Sequence, residues 1–260
     1  MVLAGSLLAL AVTVTTCEAL RRCSRRMLPG AVHSLLAAEL LSTLQLCACT
    51  YELRLLGEGG ALTPRFALTL SFAVTLVHGL TLEGCCSPCG ALELQYGVSE
   101  ASRDSAARVA AQFAGAVLSG HCAAAFWALG LSPLHAAAPA SYLGSGCRSP
   151  LRTSAALGTA AEALCAFAFH VALFGSRRAQ RGLAVPLVSA TITALVFVAG
   201  GLTGAVFNPT LAFALTFGCP PHNLLTYMQV YWLGPIVGMT AAYVLYHRNL
   251  PFRRAHLKIH

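Results

Sequence analysis

Two short stretches decide the reading: Ser87-Pro88-Cys89-Gly90 and Asn208-Pro209-Thr210-Leu211. In each, a short polar side chain stands directly before a proline. Ser and Asn cap helix N-termini by accepting a backbone N–H on a side-chain oxygen, and Pro suits the first helical position because no partner awaits an N–H there. Each stretch therefore predicts a short helix, over 88–96 and 209–218. A lone Ser-Pro or Asn-Pro marks an ordinary turn, so the surroundings must carry the argument. Glu39 lies 48 residues before Ser87 (87 − 39), and Glu162 lies 46 before Asn208 (208 − 162). Both glutamates sit inside apolar runs, where an ionisable group is costly and needs a partner.

The solvent follows from composition. Only 10% of the 260 residues are charged and 57% are hydrophobic, against about 25% charged in a soluble domain. So few charges cannot cover a soluble surface, and the lipid bilayer becomes the expected environment. The net charge of +8 is split into short basic clusters between apolar runs, a topology pattern and not a nucleic-acid footprint. A helix needs about 20 apolar residues to cross, and the sequence offers seven spans, at 3–20, 33–56, 66–82, 106–130, 153–175, 183–201 and 224–247. With the segment after the first span cytoplasmic, 13 basic residues fall inside and four outside (Arg54, Arg65, Arg148 and Arg152), the bias expected of a cytoplasmic side. The first span has no basic residue before its apolar run, which favours a retained anchor over a cleaved leader.

The two capped segments are too short to cross, so each half reads as buried-Glu helix, second helix, half-helix, third helix. Three spans per half put the halves in opposite orientations, an inverted repeat. The divisions are 1–30 for the N-terminal apolar segment and basic turn, 31–130 for the first half and 131–152 for a connecting loop. The second half covers 153–247 and a basic cytoplasmic tail 248–260. The expected fold class is an all-α integral membrane protein with six core helices, two re-entrant half-helices and an extra N-terminal span.

These residues resemble the aquaporin family. Glu39-Leu40-Leu41-Ser42-Thr43 is similar to its Glu-x-x-x-Thr helix, and Gln112-Phe113-Ala114-Gly115-Ala116 to its third core helix. Thr203-Gly204-Ala205-Val206-Phe207-Asn208-Pro209 resembles the approach to its second Asn-Pro-Ala box, and Tyr231-Trp232-Leu233-Gly234-Pro235 the start of its last helix. The likeness covers about 31–247 and is stronger to the divergent intracellular branch, through Val77-His78-Gly79-Leu80-Thr81-Leu82 and Ser87-Pro88-Cys89-Gly90. Two departures stand out: Ser87 replaces the Asn of the first box, and the stretch from His78 to Pro88 is one residue shorter than in that branch; Thr210 in place of the Ala of the second box is a smaller change. Ser keeps the cap but lacks the amide donor. Glu162 is followed four residues later by Ala166, so the second Glu-x-x-x-Thr is incomplete.

The resemblance implies a facilitative channel, not an enzyme, in which two half-helix N-termini meet at midplane and repel cations. The pore caps would be Ser87, Pro88, Cys89, Asn208, Pro209 and Thr210. Aligned on Thr203-Gly204, the outer constriction falls on Val196, Ala205, Leu211 and either Phe66 or Ala67. That ring is apolar and has no fixed cation, which suits water together with neutral solutes such as glycerol and hydrogen peroxide. A non-conducting scaffold that keeps the fold is the alternative. The resemblance also implies a homotetramer in the endoplasmic reticulum membrane, with the plasma membrane second. Glu39 and Glu162 are expected to be structural acids that accept backbone N–H groups from the half-helix loops.

No cofactor or metal is expected: Cys85, Cys86 and Cys89 near His78 form one compact group, whereas zinc sites usually draw on two separated ligand pairs. Five of the 11 cysteines, Cys17, Cys47, Cys49, Cys122 and Cys165, lie in apolar runs and behave as small hydrophobes. Cys147 and Cys219 are the outer-loop cysteines. Their pairing is open, and Cys219, just past the second half-helix, is a candidate reactive thiol.

Overall fold

The computed structural model describes residues 2–28, 30–60, 62–97, 102–138, 147–177 and 179–249. Among them the secondary structure is helical, with no strand. The helices are α1 (Val2–Met27), α2 (Ala31–Glu58), α3 (Pro64–Thr81), α4 (Pro88–Gly97), α5 (Ser102–Trp127) and α6 (Pro133–Ala137). They continue as α7 (Ala155–Ser176), α8 (Arg181–Thr203), α9 (Pro209–Thr216), α10 (Leu224–Met228), a π-helical turn (Gln229–Leu233) and α11 (Gly234–Asn249). A helix is present at each of the seven positions expected to span and at both short segments. The expected tail from residue 250 onward, and part of the 131–152 loop, lie outside the described residues.

Among the described residues, six stretches are long and apolar enough to cross a bilayer: α1, α2, α5, α7, α8 and the run from α10 into α11. The exception is α3, whose 18 residues include Arg65 and His78. At 1.5 Å per residue it is about 27 Å long, close to the ~30 Å hydrocarbon core. Local chemistry sets the helix starts. Thr63, Ser154 and Asn223 cap α3, α7 and α10 by accepting the N–H of Phe66, Leu157 and Thr226. At the end of α8, Gly204 takes a left-handed φ of 89° and turns the chain into the loop before α9, a conformation that glycine adopts without a Cβ penalty.

Helix α2 packs on α5 and α7 on α11, and the two crossings match in detail. A Cβ at Gly115 would collide with the Leu40 carbonyl oxygen, and a Cβ at Gly238 with that of Ala163. Leu40 and Ala163 each directly follow a buried glutamate, so the closest approach falls at the same point in each pair. Small residues at such crossings let backbones meet where lipid supplies no hydrophobic drive. Helix α1 lies on α2, and α3 pairs with α8. The α3–α8 pair runs antiparallel, since Gly79 faces Val185 and Thr75 faces Ser189 and Thr193. The outer faces are apolar: Leu164, Phe197, Val198 and Leu225 are each at least two-thirds exposed, as lipid-facing side chains must be.

Candidate functional site

Each short helix begins at a loop tied to one buried carboxylate. Glu162 is fully buried on α7 and accepts the backbone N–H of Val206 at 3.1 Å and that of Phe207. The Thr203 hydroxyl donates to the same carboxylate and itself accepts the Ala205 N–H at 3.1 Å. Tyr231, on the π-helical turn, holds the Thr203 carbonyl at 2.7 Å. Three side chains, Glu162, Thr203 and Tyr231, thus fix a five-residue loop before α9. Phe207, directly before the cap, is driven to a φ of 34°, a rare conformation for a residue with a Cβ and one that needs this support.

The first loop repeats the plan with other partners. Glu39, fully buried on α2, accepts the Cys86 N–H at 3.1 Å. Cys86 directly precedes Ser87 and has a φ of 54°. Here the carboxylate also takes the Arg108 guanidinium at 2.7 Å and the Gln112 amide at 3.1 Å, both from α5. Ser42, one turn along α2, accepts the N–H groups of Glu83 and Gly84 at 3.1 and 3.3 Å. Gln45, one turn further, donates to the Thr81 hydroxyl at 2.9 Å. Glu39, Ser42 and Gln45 form a polar stripe at three-residue spacing, the neighbour relation of an α-helix, and it tracks loop residues 86, 84 and 83 and then Thr81 at the end of α3.

The loops meet at Asn208. Its Oδ1 caps α9 by accepting the N–H of Thr210 at 2.9 Å and of Leu211 at 3.3 Å. Its Nδ2 donates to the Cys86 carbonyl at 2.9 Å, so one side chain ties both half-helix starts together. Ser87 makes a weaker cap, accepting only the Cys89 N–H at 3.3 Å. Pro88, Cys89, Pro209 and Thr210 are buried, and the Thr210 hydroxyl has no hydrogen-bond partner.

The residues aligned with an outer constriction are dispersed. Ala205 is buried in the loop beside Glu162. Leu211 packs between two clusters, one with Tyr51, Trp127 and Leu215 and the other with Val206, Tyr227 and Tyr231. Phe66 and Val196 are 41% and 38% exposed, and Ala67 is half-buried. The antiparallel α3–α8 pairing sends these three toward one end of the molecule.

Cys219 requires a correction. It is bonded to Cys147 in a disulfide, so it is not a free thiol. The backbone bond from Ser149 N–H to the Pro220 carbonyl, 2.9 Å, holds the two segments in register beside it. Among the described residues, no group of three or more His, Cys, Asp or Glu is placed to hold a metal. Cys85 instead receives a contact from Arg108 at 3.3 Å.

Several partners escaped the sequence reading. Ser42 and Gln45 carried a signal, because polar residues at i, i+3 and i+6 from Glu39 mark one face of an apolar helix. Arg108 and Gln112 come from another helix, and nothing local pairs them with Glu39. Glu52, a second buried acid on α2, binds Trp127 and His135, each at 2.8 Å. Arg54 reaches past the helix end to the carbonyls of Leu215 and Arg148, both at 3.0 Å. It therefore caps the C-terminal end of α9, the site a cation favours.

No protein-family model matches the chain. Curated relatives do. Aquaporin-11 of Equus caballus is 40% identical over 215 residues, 82% of this chain and 78% of that protein. Aquaporin-11 of Homo sapiens is 37% identical over 88% of this chain and 83% of its own. Putative aquaporin-12B of Homo sapiens is 37% identical over 92% of this chain and 78% of its own. With that identity over most of both chains, and with apolar helices around two capped half-helices, this protein belongs to the aquaporin family, as a divergent member similar to aquaporin-11 and aquaporin-12.

Proposed function

We propose that the chain is a passive channel for water and small neutral solutes, glycerol and hydrogen peroxide among them. The observation that carries this reading is the bond from Asn208 Nδ2 to the Cys86 carbonyl. It puts the N-termini of α4 and α9 side by side. Each N-terminus carries about half a positive charge, so a permeating cation or proton meets two repulsive dipole ends while neutral molecules pass. Ser87, Asn208 and the buried caps around them form the centre of the path. Glu39 and Glu162 hold its walls without facing it.

By alignment, Val196, Ala205, Leu211 and either Phe66 or Ala67 mark the outer mouth of the path, spread along it and not gathered into one ring. Its apolar lining gives up hydrogen bonds that speed water and admits solutes with carbon surface. Water flux is accordingly modest, and glycerol and peroxide flux is comparatively high. The channel works as a homotetramer with one path per chain, in the endoplasmic reticulum membrane.

The test is stopped-flow light scattering on proteoliposomes. Wild-type protein should exceed empty liposomes for water and for glycerol, and Asn208→Asp, which puts a carboxylate between the dipole ends, should abolish the gain. A glycerol-to-water ratio below that of a water-selective aquaporin would sink the solute assignment. One observation favours a non-conducting scaffold. The Asn208 amide already spends a donor on Cys86, and Ser87 contributes only a hydroxyl. Flux equal to empty liposomes from correctly folded protein would select that reading.

A further inference from the structure

We propose that the extra N-terminal helix α1 is a positioning element for the first half-helix, acting through Arg21 and Arg25 on the loop that carries Cys86 and Ser87. The inference rests on the channel reading, since it assigns α1 a part in shaping that path.

Arg21 lies in an apolar helix with its side chain fully buried. Its guanidinium donates to Gln45 Oε1 at 2.8 Å and pairs with Glu18 at 3.0 Å. Nη1 has no partner, and Glu18 is shared with Arg22. A buried, incompletely paired cation is costly; packing α1 against α2 alone would be served better by an apolar side chain. What Arg21 supplies is orientation. By occupying the Gln45 oxygen it turns the Gln45 amide nitrogen toward Thr81, the last residue of α3.

Arg25, one turn on, forms an ion pair with Glu83 in the loop itself. The Glu83 N–H is held by Ser42, and so is that of Gly84. Gly84 lies flush against α2: a Cβ there would sit 2.9 Å from the Glu39 Cα. From α1 the contacts reach Thr81 through Gln45 and Glu83 directly, and the chain runs on from these through Gly84 to Cys86 at the Asn208 joint. Among the described residues, the second loop has no counterpart to this brace. It is held by Glu162 and Thr203 within its own half and has the stronger cap, Asn208.

Positioning and plain packing differ in what they predict. Loss of packing by α1 would loosen the protein broadly, whereas loss of the brace acts on residues 82–87 and leaves 204–208 alone. The full chain in proteoliposomes is tested as Arg21→Met, Arg25→Glu, Glu83→Arg and the Arg25→Glu/Glu83→Arg charge swap. The readouts are water permeability and amide hydrogen exchange of both loops.

Arg21→Met and Arg25→Glu should each quicken exchange at 82–87 about fivefold, the scale of one hydrogen bond's net worth, with 204–208 unchanged. Water permeability should fall by a similar factor, and the charge swap should restore both readouts. Equal exchange in variant and wild type, quickened exchange in both loops alike, or a swap that restores nothing would overturn the proposal. Exchange is read independently of flux. A wild type that does not conduct, with exchange confined to 82–87 in the variants, would break the channel reading and leave the brace standing.

Discussion

Loop 203–208 hangs from a carboxylate by backbone and hydroxyl bonds, whereas loop 82–87 hangs from a carboxylate that also holds a cation. Glu162 spends its oxygens on Val206, Phe207 and Thr203. Glu39 gives the backbone one bond, at Cys86, and the rest to Arg108 and Gln112. Ser42 and Gln45 then take over the loop contacts that Glu39 leaves. The two crossings are alike at Gly115 and Gly238, yet the residue three before each glycine differs: Gln112 reaches Glu39, whereas Pro235 has no donor to offer Glu162. The same framework is thus supported by two different sets of bonds, and the weaker cap, Ser87, falls where the support is more distributed.

The largest expected effects come from the two acids. Glu39→Ala strands the Arg108 charge, and removing one member of a buried pair costs about 3–5 kcal/mol. Adding Arg108→Met should recover part of that loss, read as thermal stability in detergent. Glu162→Ala leaves the Val206 and Phe207 N–H groups unpaired, at about 1–3 kcal/mol each, and among the described residues no cation pairs with Glu162 whose removal could rescue it. Rescue of Glu39→Ala that fails would show that Arg108 is not its main dependant.

Next come the crossings. Gly115→Ala and Gly238→Ala each force a Cβ against a backbone carbonyl and should cost about 1–3 kcal/mol, as overpacking does. Similar losses in both would sharpen the correspondence of the halves, and a loss at one alone would break it. The smallest effect is at the caps. Asn208→Ala should cost about 1 kcal/mol and also untie Cys86, while Ser87→Ala should cost less because its bond to Cys89 is long. Ser87→Asn should raise water permeability by adding a second amide donor at the centre, and unchanged permeability would argue that Ser87 does not face the path.

The elements of the fold were legible because lipid imposes simple rules. Apolar length marked the spans, and Ser87-Pro88 and Asn208-Pro209 marked both half-helix starts to the residue. The glutamates stood out as ionisable groups in apolar runs, and their spacing placed them beside the loops. Partners brought from another helix were not legible. Arg108 lies 69 residues from Glu39, and only the α2–α5 crossing at Gly115 brings it within reach. The Asn208–Cys86 bond joins residues 122 apart, and no local pattern encodes it. The Cys147–Cys219 disulfide had the same character: sequence named both residues, but pairing is a matter of how the outer loop folds back on α9. The π-helical turn at 229–233 left no periodic signature over so few residues, although Tyr231, which it carries, is what holds the Thr203 carbonyl.

The central claim is that two half-helix starts, joined by Asn208 to Cys86, form a conducting path. Stopped-flow water permeability of proteoliposomes, wild type against Asn208→Asp, tests it most directly when the folded state of both is verified by size-exclusion profile. Wild-type permeability should exceed that of empty liposomes, and Asn208→Asp should lose that increment. Wild-type permeability equal to empty liposomes, or an unaltered increment in Asn208→Asp, would contradict it.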